Sequence, residues 1–323
     1  MKTILFAVLF VCPPVLKPFL LRWFCGARIG RHVYIGWFAS LMGRHISIGD
    51  YSEIRALTLL RCDGDISIGS YSLVSSFNLI YGSASLTIGN HSYIGPQSLI
   101  NVDEDVQIGS YSALGARCMV FTHGSFLPYT EGYWVKFGRV WIGDYVWCAA
   151  GVFIHPGVEI GDNVFINSRS VVTESAPSGE ILEGFPAKRV TTMDKLQRKM
   201  SPKRLDTILW QMLKHFADVS LRRGLGITVG DELANQLRFM YGDHNYLVLC
   251  IPSQGPLPTL PDAQSPTRLI CLVNNPNWQA PLLPDPPLIF DFATMQTPKN
   301  TDIIHHELNI FFKRYYGVQF EYE

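Results

Sequence analysis

Six segments between residues 46 and 166 repeat one another: ISIGDYSEI (46–54), ISIGSYSLV (66–74), LTIGNHSYI (86–94), VQIGSYSAL (106–114), VWIGDYVWC (140–148) and VEIGDNVFI (158–166). Self-similarity at a fixed period marks a solenoid, in which each unit buries its apolar side against its neighbours. The isoleucine of each Ile-Gly pair falls at 48, 68, 88, 108, 142 and 160, so the spacings are 20, 20, 20, 34 and 18. One interval is out of line, and it holds CMVFTHGSFLPYTEGYWVKFG (118–138).

Apolar residues recur at offsets 0, 6 and 12 from each isoleucine, as in 48/54/60, 68/74/80 and 88/94/100. Apolar residues every six positions do not form a helical stripe of period 3.6. Three sides of six residues per turn predict a triangular prism with aliphatic columns inside. Ile29-Gly30, followed by Val33, Ile35, Ala39 and Leu41, reads as an earlier coil, so seven coils are expected. The glycine after each isoleucine is expected to give the backbone freedom a corner needs. Residues beyond three sixes always fall between offset 12 and the next isoleucine. From Val120 to Ile142 that gap is 22, an excess of 16 at the third corner. The excursion should leave the prism at Phe121–Thr122 and return near Arg139–Val140, carrying His123, Tyr129, Glu131, Tyr133 and Trp134.

A chain of 323 residues has room for about two domains. Lys+Arg and Asp+Glu are equal at 27 each and no basic run exists, which argues against nucleic acid as a partner. Seven scattered cysteines, never in a CxxC pair, read as free thiols in a reducing compartment. Residues 1–27 form an apolar N-terminal segment broken by Pro13-Pro14; its runs are too short to cross a bilayer as a helix. Val15, Leu16, Phe19, Leu20, Trp23 and Phe24 recur at helical spacing among basic residues, which suits peripheral membrane contact through residues 1–24. A cap over the open end of the solenoid and a signal sequence are the other readings. Residues 191–323 read as a small α+β domain without a recognisable motif. Its amphipathic helix starts near Ser201-Pro202, its strand-like runs lie at 246–251, 268–273, 288–292 and 318–322, and a second helix covers about 302–315.

The repeats, the His-bearing loop and the closing sequence IGDYVWCAAGVFIHPGVEIGDNVFINSRSVVTESAPSGEILEGFPAKRV together resemble the hexapeptide-repeat acyltransferases, nearest the galactoside/maltose and polysaccharide O-acetyltransferases. The resemblance covers residues 28–190 and implies a mainly β fold, a left-handed parallel β-helix. It also implies a homotrimer with inter-subunit active sites, acetyl-CoA as co-substrate, and no metal. His123 matches the general base of that family. A sugar hydroxyl is a poor nucleophile at neutral pH, and an imidazole is the side chain best placed to take its proton. The implied reaction is acyl transfer to a sugar in a polysaccharide or lipid-linked glycan precursor, in the cytoplasm or at the inner face of the membrane. Ala150 and Ser168 match the small residues beside the pantetheine arm, Thr173 the threonine after the last coil, and Lys188 the basic residue that meets the adenosine phosphates. Glu174 departs from the pattern, standing where the family often has lysine. Asn101 is a candidate to orient the acceptor hydroxyl. Tyr129, Tyr133 and Trp134, with Glu131, are candidates to contact the acceptor, and packing against a neighbouring subunit serves the aromatics equally well. His45 and His91 are expected to be solvated, and His155 to lie at a corner. A non-catalytic scaffold, or acylation of an amino sugar or small molecule, are the alternatives.

Overall fold

The computed structural model describes residues 2–125, 127–230, 235–254, 267–275, 277–280 and 285–323. The chain forms two compact units, Met1–Arg198 and Lys199–Glu323.

The first unit is the expected left-handed parallel β-helix. Its first face stacks seven short strands from Arg28–Ile29 to Glu159–Ile160, its third face seven from Ser40–Met42 to Val171–Val172. The second face begins at Tyr34–Ile35 and ends with the antiparallel pair Glu180–Gly184 and Ala187–Thr192. The register keeps like on like: Ile29 pairs with Ile48, then Ile68, Ile88, Ile108, Ile142 and Ile160 in one unbroken column. The offset-6 and offset-12 columns, such as Ile54–Val74–Ile94 and Leu60–Ile80–Ile100, are fully buried. Truncating one column member, for instance Ile94→Ala, removes contacts on every side and should cost about 2–5 kcal/mol.

Serine at offset 4 has a defined role. Ser52, Ser72, Ser92 and Ser112 are buried, and each hydroxyl donates to the glycine carbonyl of the next coil (Gly69, Gly89, Gly109 and Gly143) at 2.6–2.7 Å. The same oxygens accept from the N–H at that position in the next coil, Ser72, Ser92, Ser112 and finally Val146, so a polar ladder runs through the interior with its groups satisfied.

Two expectations need correction. The glycine after each isoleucine does not supply the corner's backbone conformation. A Cβ at Gly49 or Gly69 would collide with the backbone of the coil above, so glycine is required there for close approach. The left-handed residue sits two positions further on, at Tyr51, Tyr71, His91, Tyr111 and Tyr145, with φ of 55–58°. The rings of these residues stack coil upon coil, with centroids 4.7–5.1 Å apart. His91 is therefore not solvated: it is buried between Tyr71 and Tyr111. His45 is exposed, as expected, and its Nδ1 lies 3.0 Å from Asp65.

The N-terminal segment folds over the open end of the prism as helices α1 (Lys2–Val11) and α2 (Lys17–Cys25). Leu9 and Leu21 join the prism core. An uncovered first coil would present unpaired backbone groups. Lys17, fully buried, donates from Nζ to the carbonyls of Gly36 and Ala39 at 2.6 and 2.7 Å. Arg22 reaches the carbonyl of Ile29 at 2.7 Å, and Ser40 donates to the Phe6 carbonyl. Burial pushes the Lys17 ammonium down to about 8. Among the described residues no helix is long and apolar enough to cross a membrane.

The second unit is a mixed six-stranded sheet whose strands His244–Ile251, Thr267–Val273 and Leu288–Asp291 run parallel. Strand Gln236–Tyr241 on its edge had no clear signal in the sequence. Helix α3 (Pro202–Phe216) is capped by Ser201 and α4 (Ile303–Tyr316) by Asp302. Leu209, Leu213, Phe216, Leu308 and Phe312 share one core with Val248, Ile270 and Phe290 of the sheet. Much of the two Pro- and Asn-rich loops, 252–266 and 274–287, lies outside the described residues.

Candidate active site

The 16-residue excursion begins where the third face of the fifth coil ends, after Met119–Val120. It leaves as strand His123–Gly124, passes through a short turn of helix at Tyr129–Glu131, and returns as strand Lys136–Phe137, antiparallel to the first. Val140–Ile142 then re-enters the first face beside Val106–Ile108. The exit is pinned from both sides. Thr122 is buried, and its hydroxyl accepts from the backbone N–H groups of Asp103 and Glu104 at 3.0 Å while donating to Asn101 Oδ1 at 2.7 Å. Its carbonyl accepts from Gly138 N–H at 2.9 Å, which closes the base of the hairpin.

His123 projects from this base with its ring defined by three neighbours. Nδ1 lies 3.0 Å from Asn101 Oδ1 and 3.0 Å from Asp103 Oδ2. Phe137 stacks beside the ring at 5.9 Å. The Asn101 amide is oriented unambiguously, because Nδ2 donates to Asp103 Oδ2 at 3.0 Å and Oδ1 accepts from Thr122. Both groups facing Nδ1 are thus acceptors. Nδ1 carries the proton, and the lone pair lies on Nε2. Among the described residues no hydrogen bond engages Nε2. The ring is about one-third exposed, open enough for an incoming hydroxyl. An imidazole fixed in this tautomer can accept a proton at Nε2 and share the resulting charge with Asp103.

Asn101, a candidate to meet an acceptor, is fully buried and its amide is spent on His123, Asp103 and Thr122. Its place in the geometry is behind the histidine. Tyr129, Tyr133 and Trp134 are exposed on the hairpin, as is Glu131. His155, half-buried, has its imidazole pushed down by burial and by the Lys136 charge.

The predicted coenzyme residues fall at other points of the prism. Ala150 and Ser168 are both exposed, one coil apart, at the corner between the second and third faces. His123 leaves from the corner between the third and first faces, where Thr173 also lies, half-buried, two coils on. Lys188, in the closing strand pair, places Nζ 3.3 Å from Glu174 Oε2. The residue that departs from the family pattern therefore holds the cation expected to meet phosphate.

Asp103, Thr122 and Phe137 surround His123 and its Asn101 partner without having stood out as site residues in the sequence. Asp103 stands 20 residues before His123, one full coil, so the repeat itself carried the signal.

Residues 139–174 match the family model described as bacterial transferase hexapeptide (six repeats). Among curated proteins, the chain is 32% identical over 65 residues to a putative acetyltransferase, YvoF, of Bacillus subtilis, covering 20% of this chain and 38% of that one. It is 44% identical over 46 residues to the putative colanic acid biosynthesis acetyltransferase WcaF of Escherichia coli, covering 14% and 25% of the two chains. With the galactoside O-acetyltransferase of Escherichia coli it shares 43% over 47 residues, 15% of this chain and 23% of that one. The aligned stretches thus span well under half of these relatives. Among solved structures, a hexapeptide-repeat acetyltransferase of Vibrio cholerae in complex with acetyl coenzyme A superposes with a TM-score of 0.36 at 17% identity, over 59% of this chain and 85% of that one. The N-acyltransferase AntD of Bacillus cereus superposes with a TM-score of 0.38 at 20% identity, over 62% and 96%. The repeat and its register make the β-helix of this chain a stack of hexapeptide repeats, and residues 139–174 are the part of it that matches the bacterial transferase model.

Proposed function

We propose that the chain is an acyltransferase that moves an acyl group, acetyl in the first instance, from acyl-coenzyme A to a hydroxyl of a sugar in a polysaccharide or lipid-linked glycan precursor. The observation that carries this reading is His123: a histidine on a hairpin inserted into a hexapeptide prism, its Nδ1–H held by Asp103 and its Nε2 left to accept a proton. Nε2 takes the hydroxyl proton as the sugar oxygen attacks the thioester carbonyl. The developing oxyanion needs an N–H donor in the groove. Collapse of the tetrahedral intermediate breaks the C–S bond, and the coenzyme thiolate takes the proton back from the imidazolium. The ester and free coenzyme leave a histidine in its starting state.

Ala150 and Ser168 lie at a different corner from His123, so one prism does not gather the whole set. A homotrimer would, with coenzyme lying in the groove between neighbours. The outer row of the third face supports such packing: Leu59, Leu79, Leu99, Met119, Phe153 and Val171 form an apolar stripe, with Leu79 43% and Met119 41% exposed. Contiguous apolar surface of this kind marks an interaction face. The apolar N-terminal segment is the part suited to hold the enzyme at a membrane surface.

His123→Ala should abolish transfer from acetyl-CoA to candidate oligosaccharides while the particle mass by light scattering stays that of the wild type. Undiminished transfer would remove the assignment. Failure to bind coenzyme A by calorimetry would favour the scaffold reading instead.

A further inference from the structure

Helix α2 is built inside out for a protein surface in water. It buries its lysine, Lys17, and exposes Phe19, Trp23 and Phe24, with Trp23 74% exposed. Val15, just before it, is 82% exposed and Val11 at the end of α1 62%. The buried side of the cap is already complete, since Leu9 and Leu21 are in the prism core and Lys17 and Arg22 occupy its free carbonyls. The outer side is therefore not waiting for the prism. Its charge is one-sided as well. Residues 1–49 contain six Lys or Arg (Lys2, Lys17, Arg22, Arg28, Arg31 and Arg44) and no Asp or Glu, in a chain whose net charge is zero. Arg31 and Arg44 are matched by Asp50 and Asp65 of later coils, while Arg22 and Arg28 are exposed with no carboxylate partner among the described residues. Aromatic and aliphatic side chains flanked by arginine, with no carboxylate to repel phosphate, are the chemistry of a helix lying in the interface of an anionic bilayer. At 10 and 9 residues the two helices are too short to do anything but lie in the plane.

We infer that the cap seats the end of the prism on an anionic phospholipid surface and that the stacked coils act as a spacer, holding His123 at a set height above it. The third-face strand that leads to His123 is four strand spacings from the Ser40–Met42 strand under the cap. At about 4.8 Å per spacing that is roughly 19 Å. The helical layer adds about 10 Å. The site then works some 20–30 Å from the lipid. Resting on the transferase reading, this height selects sugars several units out along a lipid-linked chain and passes over the sugar next to the lipid. Three prisms in parallel would present three such caps on one side, so modest single-cap affinities would combine.

The full-length protein should co-sediment with vesicles of phosphatidylcholine and phosphatidylglycerol, bind pure phosphatidylcholine at least tenfold less, and lose most binding as salt rises. The Phe19→Glu/Trp23→Glu variant should lose binding by at least tenfold and keep its coenzyme A affinity and particle mass. No binding to protein-free anionic vesicles, or a changed particle mass in this variant, would overturn membrane docking, the latter in favour of a second copy on the cap. Brominated phosphatidylglycerol vesicles read the height. Trp23→Phe should remove most of the tryptophan quenching, and Trp134→Phe should leave it unchanged; loss of quenching with Trp134→Phe would lay the hairpin on the lipid and end the spacer. Vesicle binding without coenzyme A binding would instead fault the transferase reading and leave the docking intact.

Discussion

Asp103 Oδ2 and His123 Nδ1 stand 3.0 Å apart because their coils are stacked. Asp103 follows the third-face strand of the fourth coil and His123 that of the fifth, so the ladder that builds the prism also aligns imidazole and carboxylate. Asp103→Asn keeps the shape and removes the charge, and it lets a side-chain N–H face Nδ1, which favours the wrong tautomer. A general base is worth about 10²–10⁴ in rate, and mispositioning its lone pair should forfeit roughly 10² of it. The loss should appear in kcat with the KM for acetyl-CoA unchanged; a rise in KM alone would place Asp103 in substrate binding.

Asn101 holds the same cluster from below. Removing its amide in Asn101→Ala takes the 2.7 Å acceptor from the buried Thr122 hydroxyl, leaving it only the longer 3.3 Å contact to the Asn101 carbonyl, and takes a donor from Asp103. Buried groups left unpaired cost about 1–3 kcal/mol. Denaturant unfolding should show a loss of that size, with kcat falling alongside. Were Asn101 an acceptor contact, the acceptor KM would rise and stability would hold.

Periodicity made the prism legible, because a column position has one physical requirement and meets it in every coil. Ile48, Ile68 and Ile88 announce themselves by chemistry alone. The corner could not be read the same way. Glycine after isoleucine suggests a turn residue, yet its purpose is contact with the coil above, and the left-handed position carries tyrosine or histidine stabilised by stacking. That stacking is a relation between coils, which is why His91 looked solvated. His123 was found from its loop. Asn101 was singled out as well, but as a contact for the acceptor; Asp103 and Thr122 were not, because the three converge only once coils four and five are superposed. The cap stood as only one of three readings of the N-terminal segment for a related reason: a lysine among apolar residues reads as surface, and only the free carbonyls of Gly36 and Ala39 explain its burial.

Glu174 and Lys188 form an exposed pair, with Nζ and Oε2 3.3 Å apart. If Lys188 meets the coenzyme's phosphates, Glu174 competes for it and adds repulsion. Glu174→Gln should then lower the KM for acetyl-CoA severalfold with kcat unchanged, and the gain should shrink as salt screens it. Calorimetry with coenzyme A and with its dephospho form locates the contact. An unchanged affinity for both would remove Lys188 from the binding surface.

His305 gives the second unit an acid limit. Its ring is buried against Phe290; Nε2 is 2.8 Å from the Thr297 hydroxyl, which donates onward to the Ile289 carbonyl, and Nδ1 accepts from the Asn300 amide at 2.9 Å. Asn300 cannot turn to accommodate a proton, because its Oδ1 is held by Asp302 N–H and its Nδ2 also serves the Pro298 carbonyl. Burial, opposed by Asp302 and aided by His306, pushes the imidazole down to about 4. An unfolded histidine titrates near 6.5, so between these values the unfolded chain takes up a proton that the folded unit refuses. Stability is full above pH 6.5 and falls as the pH drops toward 4, by about 3 kcal/mol at 1.36 kcal/mol per unit. Asp302 enters only at lower pH: burial alone would raise its carboxyl, but hydrogen bonds from His305 N–H, Tyr246 and Arg268 together hold it below the usual range. Calorimetric scans of the full chain at pH 7 and pH 4.5 should show the transition of residues 199–323 moving down in temperature. His305→Gln, which can present the same acceptor and donor without titrating, should flatten that shift. An equal shift in both proteins would assign the acid loss to the carboxylates.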